Sequence, residues 1–214
     1  MRRWFLLAFA VIGLMTLVAM VPPRVPSPPT GSEAIPLAAR NSPLATPSIL
    51  STDPIRGNPN APLTIIEYGD FSCPSCTDAQ ATLNALRTAY GSQLRIVWKD
   101  FPILDRITGS RSAHITARCA QQQGKFWEYH DALFTEQPRG DAALIALARQ
   151  IGLDAQALSS CLIAQVPAPL IDEHIAEAKR LAITTAPTFF VNGTRLDGHA
   201  TIDDFRDLLR SPTP

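Results

Sequence analysis

The spacing of apolar positions changes along this chain, and the changes mark its elements. An uncharged apolar run extends from Trp4 to Val21, preceded by Arg2 and Arg3. A helix of that length spans about 27 Å, close to the thickness of a bilayer core. From Pro22 to Pro54 the pattern disappears into Pro, Ser, Thr and Ala, which reads as an extended linker. Leu63-Thr64-Ile65-Ile66-Glu67-Tyr68 is rich in β-formers and predicts a strand. Ala79, Leu83, Leu86 and Tyr90 then recur at helical spacing, and Gly91 stops that helix. A second strand is expected over Leu94–Lys99.

Residues from about 108 to 183 carry helical periodicity almost throughout. Breaks fall near Gly124, Pro138-Arg139-Gly140, Gly152 and Val166-Pro167. Thr188–Val191 predicts a strand, Asn192-Gly193 a two-residue hairpin turn, and Thr194–Leu196 the returning strand. A last helix is expected over Thr201–Arg210. Three segments result: 1–21 as a membrane anchor or signal, 22–54 as a linker, and 55–214 as the folded domain. Strand–helix–strand, helical block, hairpin and helix together predict an α/β fold with a mixed sheet covered by helices. The helical block is long enough to be an inserted subdomain.

Composition narrows the function. The 214 residues are 46% hydrophobic and 18% charged, with zero formal net charge and no basic cluster. Electrostatics therefore give no support to nucleic-acid binding. The apolar run exceeds the about 7–15 residues of a signal-peptide core, which favours an uncleaved anchor at residues 4–21. Its arginines would stay cytoplasmic and the rest of the chain would be exported.

The four cysteines are Cys73, Cys76, Cys119 and Cys161. In Cys73-Pro74-Ser75-Cys76, Pro74 suits the first helical position, where its missing N–H would be unpaired anyway. Cys73 then occupies the N-cap, where free N–H groups and the helix dipole favour thiolate over thiol. Such sites lower a thiol pKa from about 8.5 to about 3.5–7.5. Cys76 lies one turn on and heads the apolar stripe, so it is expected to be the shielded sulfur and Cys73 the exposed nucleophile. Half a zinc site, a purely structural disulfide and two inert thiols are the alternatives. Zinc would call for a second pair of close ligands, and none follows.

Asp70-Phe71-Ser72-Cys73-Pro74-Ser75-Cys76 after the strand ending near Glu67, the later Ala186-Pro187-Thr188-Phe189-Phe190-Val191-Asn192-Gly193, and the helical block between them resemble the DsbA-like branch of the thioredoxin superfamily. The resemblance covers about Asn58 to Leu209. It implies a thioredoxin fold with an inserted helical subdomain. It also implies a cis bond between Ala186 and Pro187, with that loop beside the Cys73 sulfur and shaping the substrate groove. On residues alone, Pro187 would be an ordinary strand-initiating proline. The resemblance makes Glu67 and Lys99 a charged pair near the buried cysteine, where a carboxylate could exchange a proton with the resolving thiol. Without it they are solvated strand-end charges.

Ser75 stands where strongly oxidising relatives often carry His, and Ala186 where many carry Val or Thr. Both departures bear on oxidising strength. Some relatives hold an extra disulfide in the helical block. A Cys119–Cys161 bridge is the corresponding expectation, stabilising by about 4 kcal/mol in the chain-entropy model. The four histidines, His114, His130, His174 and His199, read as surface or core residues.

The function these readings support is thiol–disulfide oxidation or exchange on cysteine-containing exported polypeptides, on the periplasmic or cell-surface side. A membrane quinone-linked thiol oxidase is the implied recycling partner. No cofactor or metal is called for. A reductase or isomerase, or a membrane-tethered binding module without turnover, are the competing readings.

Overall fold

The computed structural model describes residues 46–210; the expected anchor and most of the expected linker lie outside the described residues. Five strands form one sheet in the order β1-β3-β2-β4-β5. They are β1 (Ile55–Gly57), β2 (Leu63–Gly69), β3 (Leu94–Asp100), β4 (Thr188–Val191) and β5 (Thr194–Asp197). β2 and β3 run parallel, and α1 (Pro74–Tyr90) makes the crossover that a parallel pair requires. The other pairings are antiparallel. Between β3 and β4 lie α2 (Asp105–Thr108), α3 (Ser110–Gln122), α4 (Phe126–Glu136), α5 (Asp141–Gln150), α6 (Ala155–Ala164) and α7 (Ala168–Arg180). α8 (Ile202–Arg210) closes the fold.

Strand alternation divides the core. Ile65, Ile96 and Phe189 pack with Leu83 and Leu86 of α1 and Phe205 of α8. Their neighbours Ile66, Val97 and Phe190 pack on the other face with Ala178 of α7. A third cluster fills the helical insertion, built around Phe71, Trp98, Tyr129 and Leu158. Trp98 joins sheet to insertion: its ring stacks on Phe71 at 4.8 Å, and its Nε1 donates to Asp100 Oδ1 at 3.0 Å.

The folded domain begins earlier than composition suggests. Ser48 donates to Glu177 Oε1 from its backbone N–H (2.9 Å) and its hydroxyl (2.6 Å). Asp53 is buried. The linker expected to reach residue 54 is therefore docked over its last few residues. The partners that hold it come from α7, β3 and α3, beyond the reach of any local pattern. β1 is too short to show a period of two, and it pairs with β3 from Ile55↔Val97 to Gly57↔Arg95.

Candidate active site

Asp70, at the end of β2, shapes the loop that carries the cysteines. Its Oδ1 accepts the Ser72 N–H (2.8 Å) and its carbonyl accepts the Cys73 N–H (3.1 Å). Its Oδ2 accepts from the Leu104 N–H (2.9 Å) and the Ser110 hydroxyl (3.0 Å), which ties the loop to the insertion. Cys73 is then the N-cap of α1 in extended conformation, with Pro74 at the first helical position. The Cys76 N–H donates to Cys73 Sγ at 3.3 Å.

Cys73 is lowered to about 7, chiefly by a hydrogen bond from the Cys76 thiol, against the cost of burial. Backbone N–H groups of Cys76 and Ser75 add to the lowering, and the charge of Asp70 opposes it. Cys76 moves the other way. Burial, the Cys73 sulfur and the nearby Glu67 carboxylate all raise it. The two thiols are chemically unlike although they are one helical turn apart.

The Ala186–Pro187 bond is cis, and the Ala186 carbonyl lies 3.2 Å from Cys73 Sγ. That carbonyl corrects one expectation. Cys73 is not exposed; only 6% of its surface is accessible, against 0% for Cys76. Pro74 is exposed beside it and Ser75 half-buried, so access to the sulfur runs past these residues.

Glu67 sits below the pair. Gln80, one turn after Cys76 on α1, donates from Nε2 to Glu67 Oε1 (3.2 Å) and to the Cys76 carbonyl (3.2 Å). Burial raises Glu67 to about 8, so the carboxyl is mostly protonated at neutral pH.

Lys99 is elsewhere. In the β2–β3 register Glu67 opposes Trp98, while Lys99 opposes Tyr68. Side chains alternate across a strand, so Lys99 projects from the opposite face to Glu67. It pairs with Asp53 (2.7 Å) and Glu177 (3.2 Å), both largely buried. The expected Glu67–Lys99 pair does not form. Around Lys99 lies a buried polar network that sequence reasoning missed. Tyr68 donates to Glu177 (2.7 Å), His174 bridges Asp53 (2.9 Å) and Asp100 (3.3 Å), and Asp100 receives Arg118 (2.6 Å) and pairs with His114 (2.7 Å).

The structure thus gathers Cys73, Pro74, Ser75, Cys76, Ala186, Pro187 and Glu67, and leaves Lys99 out. Cys119 and Cys161 are bonded to each other, joining α3 to α6 inside the insertion. Gln80 and Asp70 were also missed. The first had a signal in its position four residues after Cys76 on one helix face, the second in an Asp two residues before Ser72, the Asx-turn spacing.

A mixed sheet with a helical insertion, a cysteine pair at a helix entrance and a cis-proline loop against the leading sulfur define a protein of thioredoxin-like fold with a paired-cysteine site. The chain belongs to the thioredoxin family, whose Thioredoxin_4 model matches residues 50–211. A thioredoxin-like oxidoreductase from Silicibacter pomeroyi DSS-3 is 30% identical, with a TM-score of 0.64 over 74% of this chain and 91% of that one. The thiol-disulfide exchange protein alpha-DsbA2 from Wolbachia pipientis shares the fold at 18% identity, with a TM-score of 0.67 over 74% of this chain and 86% of that one. A curated relative from Salinispora arenicola, named Na(+)/H(+) antiporter NhaA 1, is 36% identical over 152 residues, 71% of this chain and 23% of its own length. The chain therefore spans under a quarter of that relative. Among the described residues no helix is long and apolar enough to cross a membrane.

Proposed function

We propose that this protein forms or exchanges disulfide bonds in exported polypeptides, with Cys73 as the attacking sulfur and Cys76 as the resolving one. The observation that carries the reading is the placement of the two sulfurs. Cys73 Sγ sits at the N-cap of α1, with the Cys76 N–H at 3.3 Å and the Ala186 carbonyl at 3.2 Å, and Cys76 is fully buried one turn on. This placement lowers the first thiol to about 7 and raises the second. At neutral pH this makes Cys73 the thiolate that enters and leaves mixed disulfides, and keeps Cys76 protonated until its turn.

In the oxidising direction a substrate thiolate attacks Cys73 Sγ of the Cys73–Cys76 disulfide. The S–S bond breaks, its electron pair goes to Cys76, and Cys76 takes a proton. Glu67, protonated at neutral pH and close to Cys76, is the group placed to supply it. A second substrate thiolate then attacks the substrate sulfur of the mixed disulfide and releases Cys73 as thiolate. The substrate gains one disulfide and the enzyme pair becomes two thiols. Ala186 and Pro187 border the groove where the substrate backbone lies during these steps.

A thiol oxidase linked to membrane quinone is the partner proposed to reoxidise the pair. The proposed site of action is extracytoplasmic, with residues 4–21 as anchor. The apolar run and the Cys119–Cys161 bond support that placement, because structural disulfides persist in oxidising compartments.

Ser75 and Ala186 bear on oxidising strength, and the potential of the Cys73–Cys76 couple decides the direction. Reference values run from about −120 mV for DsbA to about −270 mV for thioredoxin, a span of about 7 kcal/mol. Turnover on a paired-cysteine peptide tests the assignment. Cys73→Ala is expected to reduce turnover to background, and Cys76→Ala to accumulate a mixed disulfide with the peptide. Turnover retained in Cys73→Ala overturns the reading.

A further inference from the structure

A hollow adjoins the redox loop on its insertion side. It has a volume of about 150 Å³ and opens to solvent. Ser72, Pro74 and Thr77 form the wall next to Cys73, Phe71 and Leu133 are buried lining residues, and Arg139 stands among the residues of the α4–α5 turn. Arg139 is the one charged residue among the lining residues. It is exposed, and among the described residues its guanidinium has no ion-pair or hydrogen-bond partner. An adjoining hollow of about the same volume, 150 Å³, shares Ser72, Ala113, Pro138 and Arg139 and also includes Asp141. Arg139 lines both hollows, and among the described residues no ion pair joins it to Asp141.

We propose that this hollow is a side-chain subsite for the substrate polypeptide, and that it selects an acidic residue close to the reacting cysteine. The inference rests on the proposed exchange at Cys73 and names the substrate class of that site. Ser72 and Pro74 are the chain neighbours of the reacting cysteine, so a polypeptide joined to Cys73 through sulfur passes the mouth of the hollow. An extended chain advances about 3.3 Å per residue, which brings residues within about three positions of its cysteine over the opening. The neutral polar rim and apolar floor accept the methylene groups of Glu or Asp. The guanidinium offers a planar fork of donors that matches a carboxylate. A Lys or Arg at the same substrate position meets a like charge with no acid to relieve it.

The test is a single-turnover reaction of the full-length chain, oxidised at Cys73–Cys76, with dithiol peptides that differ only in a Glu, Gln or Lys two residues from the attacking cysteine. Each turnover converts the two peptide thiols to a disulfide and the enzyme disulfide to two thiols, so no further oxidant enters. The second-order rate constant is expected to fall in the order Glu, Gln, Lys, with Glu over Lys by about fivefold or more at low salt. The ratio should shrink in about 1 M salt, as an exposed charge contact requires. Arg139→Gln is expected to bring the ratio toward one, and Arg139→Glu to invert it. Equal rates for the Glu and Lys peptides, or a preference for Glu that survives Arg139→Glu, overturn the subsite. Failure of every peptide to be oxidised counts instead against the proposed exchange, so the two failures are distinguishable.

Discussion

Cys73 Sγ lies 3.2 Å from the carbonyl oxygen of Ala186, while the N–H of Cys76 approaches the same sulfur at 3.3 Å. The two contacts pull in opposite directions. A carbonyl accepts only from the thiol and so favours the protonated sulfur, whereas an N–H donor favours the thiolate. The Cys76 thiol adds the largest lowering influence and the balance settles at about 7. Thiolate absorbance of the reduced chain should therefore show a first midpoint near pH 7, well below the about 8.5 of a free cysteine. Cys76→Ala should move that midpoint upward, since it removes the largest lowering cause. A midpoint that stays near 7 in Cys76→Ala would show the helix entrance acting alone.

Glu67 and Lys99 project from opposite faces of one sheet, and their replacements should separate cleanly. Glu67 is raised to about 8 by burial, so in the folded state it resists ionisation. For a carboxyl raised in this way, the unfolded chain loses its proton first. Stability therefore declines as pH rises from about 4.5, and the decline levels off above about 8. Glu67→Gln should abolish that decline and make the reduced protein more stable than the parent at pH 9, by a few kcal/mol. Urea unfolding of both proteins from pH 5 to pH 9 measures it, and parallel curves would refute the burial argument.

Lys99→Met leaves the buried carboxylates of Asp53 and Glu177 without their shared cation. Removing one partner of a buried ionic group costs about 3–5 kcal/mol. Because Lys99 faces away from Glu67, the Cys73 titration midpoint should stay where it is. A shift comparable to that of Cys76→Ala would mean that Lys99 influences the redox pair through the sheet.

The parts of the fold that could be read in advance are those whose cause is local. α1 shows its buried face in Cys76, Ala79, Leu83 and Leu86, spaced by three and four. The hairpin turn shows in Asn192-Gly193, where both residues adopt positive φ (48° and 87°), as a two-residue turn of this type demands. The N-cap position of Cys73 follows from Pro74. What escaped depends on register or on distant partners. The parity that separates Lys99 from Glu67 is set by how β2 and β3 align, and composition says nothing of that. Asp53 and His174 meet across 121 positions. The resemblance places the Ala186–Pro187 loop beside Cys73, but it does not show the burial of the sulfur under the Ala186 carbonyl, 113 positions away, because the Cys-Pro-Ser-Cys segment taken alone leaves that sulfur looking exposed.

The bond between Cys119 and Cys161 closes a separation of 42 residues. In the chain-entropy account a cross-link of that span stabilises by about 4 kcal/mol. Both cysteines are buried in the insertion core, so a Cys119→Ala, Cys161→Ala double variant should lose about that amount in urea unfolding while the Cys73 midpoint is unchanged. Reduction by a mild dithiol should open Cys73–Cys76 first. A variant as stable as the parent would show the bridge to be energetically idle.

Gly69 ends β2 immediately before Asp70. A β-carbon there would lie 2.4 Å from Cη2 and 2.5 Å from Cζ3 of Trp98. The indole has little room to yield: it is fully buried, stacks on Phe71 and is held at Nε1 by Asp100. Gly69→Ala must therefore displace Trp98 or the end of β2. Overpacking of this kind costs about 1–3 kcal/mol. Any movement of Trp98 is passed through Phe71 toward Cys73, two residues on, so the Cys73 midpoint should shift as stability falls. Trp98→Leu alone should also destabilise, through the cavity it leaves. Combined with Gly69→Ala it should cost less than the sum, because the smaller side chain makes room for the methyl group. A double-mutant cycle with coupling of about 1 kcal/mol or more in that direction supports the contact, and additive losses would place the cost of Gly69→Ala in the backbone instead.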